Sequence, residues 1–73
     1  MLDKIKNIYL ENREVVFKIY GVEYVIKDDA NKVLIYQINN DQRQKSYNSI
    51  DTLLDNYTIY GETIRDNEKH IEI

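Results

Sequence analysis

Glu14-Val15-Val16-Phe17-Lys18-Ile19-Tyr20-Gly21-Val22-Glu23-Tyr24-Val25-Ile26-Lys27 is the stretch that decides the fold. β-branched and aromatic residues crowd both sides of a single glycine. Such residues suit a pleated, half-buried surface, and glycine takes the positive φ of a tight turn without steric cost. The stretch predicts strands over 14–20 and 22–27 joined as a hairpin. Working outward, Asp28-Asp29-Ala30-Asn31 reads as a turn. Residues 32–38, rich in Val, Leu, Ile and Tyr, read as a third strand. Asn39-Asn40-Asp41 marks another turn. Residues 42–47 read as a weak fourth strand at an edge, because they are polar on both sides.

Helices are predicted on either side of this sheet in sequence. Leu2, Ile5, Ile8 and Tyr9 recur at helical spacing, with Asp3 near the positive end of the dipole, giving a helix over 2–11 that Asn12 could end. Ile50, Leu53, Leu54 and Tyr57 stand at i, i+3, i+4 and i+7, giving a second helix near 49–57 capped by Asn48 or Ser49. Beyond Gly61, residues 62–69 read as one or two helical turns carrying Ile64. Ile71-Glu72-Ile73 alternates like a strand. The fold class is α+β: one domain over 1–73, an antiparallel sheet of three to four strands, two helices and an irregular C-terminal segment.

The two sheet faces differ in what they imply. One carries Val15, Phe17, Ile19, Tyr24, Ile26, Val33 and Ile35. The other carries Val16, Tyr20, Val25, Leu34, Tyr36 and Ile38. A sheet with one solvated face should alternate cleanly, yet the third strand is apolar on both faces. The expectation is that both helices pack on the first face. Tyr20, Leu34, Tyr36 and Ile38 would then form a protein-interaction surface, open to a partner protein or to a second copy as a homodimer.

From Glu14 onward the order of elements resembles a group of small uncharacterised proteins of low-GC Gram-positive bacteria and their prophages. The residues that carry the resemblance are Tyr20-Gly21-Val22-Glu23-Tyr24-Val25-Ile26, Ser46-Tyr47-Asn48-Ser49, the helix from Ile50 to Asn56 and Ile59-Tyr60-Gly61-Glu62-Thr63-Ile64. The resemblance implies the hairpin-plus-helix architecture and brings no activity with it. The alternative reading beside a protein-binding module is a phage or mobile-element regulator or inhibitor of a host factor, antitoxin-like in role. The composition agrees with an AT-rich bacterial source: Ile, Asn, Lys and Tyr, whose codons are AT-rich, supply 33 of the 73 residues.

Charge and composition narrow the function classes. The formal charge is −3, and the acidity is concentrated from Asp28 onward, where nine acidic residues face five basic ones. Nucleic-acid affinity rests largely on cationic contacts to phosphates, so no nucleic-acid partner is expected, although tyrosines on a sheet can stack bases. Cysteine is absent and no apolar run approaches a signal-peptide core or a membrane span. The expected location is the cytoplasm, with no membrane partner.

No catalytic, cofactor-binding or metal residues are predicted. His70 is the lone histidine, flanked by Glu68 and Glu72, and reads as an exposed polar residue rather than a ligand. Asp28 and Asp29 lack the further oxygen ligands and glycine of a calcium loop. Asp51 and Asp55 project opposite Ile50, Leu53 and Leu54, so they read as a solvated helix face, not an acid–base pair. No nucleophile elbow exists, and two glycines cannot build a phosphate-binding loop.

Overall fold

The computed structural model describes residues 2–73, apart from the side chains of residues 41 and 42. The elements in chain order are α1 (Leu2–Asn12), β1 (Glu14–Ile19), β2 (Val22–Asp29), β3 (Lys32–Gln37), β4 (Asn40–Tyr47), α2 (Ile50–Asn56), β5 (Thr58–Ile59), β6 (Glu62–Thr63), a 3₁₀ turn (Glu68–His70) and β7 (Ile71–Glu72). The main sheet has the order β4-β3-β2-β1-β7, antiparallel throughout, and β5 and β6 form a separate two-stranded hairpin. The class is α+β, as the sequence predicts, with a longer sheet.

Both helices lie on one side of that sheet. Leu2, Ile5 and Tyr9 of α1 and Ile50, Leu53 and Leu54 of α2 share one buried cluster with Val15, Phe17, Ile19, Tyr24, Ile26, Val33 and Ile35. Those seven strand residues are the face predicted to receive the helices. The register explains the alignment: Val15 sits opposite Ile26, Phe17 opposite Tyr24, and Ile26 opposite Ile35. The Phe17 and Tyr24 rings stack with centroids 5.8 Å apart. Ser49 caps α2, its hydroxyl accepting from the Thr52 N–H at 3.1 Å. Arg13, rather than Asn12, ends α1. It takes φ 60°, and its N–H donates to the Tyr9 carbonyl at 2.6 Å. Asp51 and Asp55 are exposed, as expected of a solvated helix face. They ion-pair with Arg65, and Asp51 also with Lys6 at 2.9 Å, which ties α1 to α2.

The C-terminal segment departs from expectation. Ile59 pairs with Glu62 in a tight hairpin that the sequence does not predict. The chain then makes helical turns over 64–70, ending in the 3₁₀ turn, and the strand-like Ile71-Glu72 forms β7 beside β1 in place of an irregular segment. Ile71 pairs with Ile19 across the sheet and is buried. The triplet Ile-Tyr-Gly occurs at 19–21 and again at 59–61, and both copies form a two-residue turn. Tyr20 and Gly21 have φ 53° and 77°; Tyr60 and Gly61 have φ 54° and 81°. Positive φ at both central residues is the type I′ signature, and a bulky residue there costs about 1–2 kcal/mol. Contacts between the rings offset this strain. The Tyr20 ring meets Tyr60 edge-on at 5.6 Å and lies 4.8 Å from His70.

Candidate functional site

The face of the sheet away from the helices carries an apolar row made by the register itself. Val16 stands opposite Val25, and Val25 opposite Tyr36. Beside this row Glu14 faces Lys27, and Lys18 faces Glu23. Leu34 neighbours Lys27 on the adjoining strand. Although no helix covers them, Val25 and Leu34 keep only 5% and 7% of their surface exposed. The Lys27 Nζ sits 5.4 Å from the centre of the Tyr36 ring, and this diagonal contact crosses over both residues. Val16, at 42%, is left open.

Of the four residues predicted to form an interaction surface, three share this face. Leu34 and Tyr36 lie on β3. Ile38 lies just past it in the turn, half-buried, its N–H donating to the Glu23 carbonyl at 2.9 Å. Tyr20 does not join them. Its positive φ turns the side chain toward the C-terminal segment, where its hydroxyl donates to Asn67 Oδ1 at 3.3 Å. Strict alternation carried through Gly21 would place Tyr20 with Tyr36, and the type I′ turn breaks that alternation. His70, read as an exposed polar residue, is half-buried against the Tyr20 ring. Among the described residues, no group of three or more His, Cys, Asp or Glu side chains is placed to hold a metal.

A second place stands on the helix-bearing side, where the sheet runs past the end of α2. Ile35 stands opposite Lys45 and Val33 opposite Tyr47, and the register then shifts, with Gln37 opposite Asn40. Arg43 lies within the shifted stretch and lines a cleft shared with Tyr24 and Tyr57 of the helix-bearing side. With Tyr24 and Gln37, which pair across β2 and β3, Arg43 forms one wall of a cleft of about 290 Å³. Tyr57, Thr58 and Tyr60 form the other wall. The Tyr24 and Tyr57 rings meet edge-on at 6.2 Å. Sequence reading passed over Arg43 because it sits in a polar edge strand. Its one signal is the alternation Arg43-x-Lys45-x-Tyr47, which puts cations where a strand normally turns apolar residues inward.

Burial raises the phenols of this region. Tyr24, Tyr47 and Tyr57 are all pushed above the usual value near 10, chiefly by desolvation, with Arg43 pulling Tyr57 the other way. Tyr9 is pushed up to about 12 by burial and then by Asp28, to which its hydroxyl donates. The folded chain therefore holds these protons more tightly than the unfolded chain does. Their contribution to stability should be constant from neutral pH to about pH 10 and should fall between about pH 10 and pH 12, as unfolded phenols ionise first. Urea midpoints measured from neutral pH up to about pH 11 check this, and an unchanged midpoint across that range would refute it.

Comparison with known proteins adds no relatives: no family model, no curated protein and no solved structure matches the chain. No helix among the described residues is long and apolar enough to cross a membrane.

Proposed function

We propose that the protein is a non-enzymatic interaction module that pairs with a second copy of itself through the helix-free face of its sheet. The observation that carries this reading is the charge layout around the Val16–Val25–Tyr36 row. A two-fold axis laid along that row sets Glu14 over Lys18 of the second copy and Lys27 over its Glu23. Opposite charges then meet on both sides of the apolar strip. Each strand pair is also neutral within one chain, so the face attracts neither phosphate backbones nor polycations. The molecule measures 29 × 27 × 19 Å, and a standard interface takes about 800 Å² per partner, close to the whole broad face.

Sedimentation equilibrium tests it. The native chain should show a monomer–dimer equilibrium. Tyr36→Glu should abolish the dimer while leaving the circular dichroism spectrum intact. Glu14→Lys should weaken the dimer, and adding Lys18→Glu should restore it, because the two changes exchange the signs that meet across the axis. A chain that stays monomeric at millimolar concentration contradicts the reading. So does an unfolded Tyr36→Glu chain, since Tyr36 would then be ordinary core.

A further inference from the structure

The cleft between the end of the sheet and the β5–β6 hairpin has a composition at odds with the rest of the chain. Thirteen of the 73 residues are acidic, yet among the described residues no carboxylate lines it. Nor does one line the adjoining hollow, where Arg43 and Thr58 continue to Gln44 and Lys45. The polar side chains of the cleft itself are Arg43, Gln37, Thr58 and three tyrosines, all able to donate hydrogen bonds.

Several of these donors have nothing in the protein to donate to. Among the described residues, Arg43 makes no ion pair or hydrogen bond, whereas Arg13 and Arg65 are both paired with aspartates. Tyr24 and Tyr57 are buried through their rings, and neither hydroxyl has a protein partner. No buried side-chain polar atom of the described residues is left unsatisfied, so these hydroxyls reach solvent, and both tyrosines line the cleft. Both phenols are protonated near neutral pH, as tyrosines ordinarily are, and burial pushes them further up, so both can donate. Arg43 adds a planar fork that matches carboxylate or phosphate geometry in a bidentate way. Val22, Ile59 and the tyrosine rings supply apolar walls for the body of a ligand.

We propose that this cleft binds a small molecule bearing a carboxylate or phosphate group, held by Arg43 and by the hydroxyls of Tyr24 and Tyr57. Gln37 and Thr58 provide further donors, and the walls favour a ligand whose anionic group is attached to an apolar or aromatic body. The cleft is on the helix-bearing side of the sheet, so this site stands or falls independently of pairing through the opposite face.

The test is a titration of the isotopically labelled full chain with three probes, followed by amide and side-chain NMR shifts: inorganic phosphate, phenyl phosphate and benzoate. The expected result is saturable shifts confined to Tyr24, Gln37, Arg43, Tyr57 and Thr58. At least one aromatic probe should bind more tightly than inorganic phosphate. Arg43→Gln, at an exposed position, should weaken binding by about tenfold or more. Tyr57→Phe keeps the buried ring and should weaken binding several-fold, and Lys69→Gln, outside the cleft, should change nothing. The proposal is overturned if no probe gives a saturable shift up to tens of millimolar. It is equally overturned if both Arg43→Gln and Tyr57→Phe bind as the native chain does, or if the shifts track lysines all over the surface.

Discussion

Leu53→Ala is expected to lower stability by about 2–5 kcal/mol. Leu53 is fully buried at the centre of the Ile50–Leu53–Leu54–Tyr57 stripe, within the cluster that joins both helices to the sheet. The cost combines the lost transfer free energy of the removed methyl groups with the cavity left between α2 and β3. A chain of this length has a total stability of roughly 4–11 kcal/mol, so the variant sits near the limit of folding. Urea denaturation followed by circular dichroism measures it. Asp55→Ala provides the contrast: it removes an exposed ion pair with Arg65 and should cost under about 1 kcal/mol. If the two variants had similar midpoints, α2 would not be packed as described.

Asn67→Leu is the second large effect, expected at about 2–4 kcal/mol. Asn67 is 1% exposed and is the buried polar residue on which the C-terminal segment turns. Its side-chain amide donates to the carbonyls of Thr63 at 2.9 Å and Glu62 at 3.3 Å, and its Oδ1 accepts from the Tyr20 hydroxyl. Leucine has the same number of side-chain heavy atoms and the same branching, but it leaves the Glu62 carbonyl and the Tyr20 hydroxyl without this partner and removes one of the two donors to the Thr63 carbonyl. Tyr20→Phe isolates one of the three bonds and should cost only about 1 kcal/mol. A near-neutral Asn67→Leu would mean that β7 is held by Ile71 alone. A loss of the Tyr20–His70 ring contact in the NMR spectrum of Asn67→Leu would identify the hinge of the damage.

Both experiments concern contacts that differ in how visible they are along the chain. The stripe around Leu53 repeats at the helical period, so its burial is a local pattern, and the same holds for the alternation in β1, β2 and β3. Asn67 has no such signature. It lies among Arg65, Asp66 and Glu68, and nothing in that polar run distinguishes the one side chain that the turn encloses. Arg43 is similar: in sequence it is one more polar residue of an edge strand. Only the folded arrangement, in which β4 shifts register beside Gln37, brings it to the cleft with Tyr24 and Tyr57.

From sequence alone came the α+β class, two helices, the Gly21 hairpin and the division of the first three strands into an inner and an outer face. These rest on periods of 2 and 3.6 residues, which each segment expresses without reference to any other. Tertiary structure bore out the placement of both helices on one face, where Leu2, Ile5 and Tyr9 share a buried cluster with Ile50, Leu53, Leu54 and the inner sheet residues. It decided two further things. It moved Tyr20 off the sheet face, because positive φ in a type I′ turn ends strict alternation. It also brought Ile71 across the sheet to Ile19, a pairing of residues far apart in the chain whose loop-closure cost is met only when the intervening turn around Asn67 is formed.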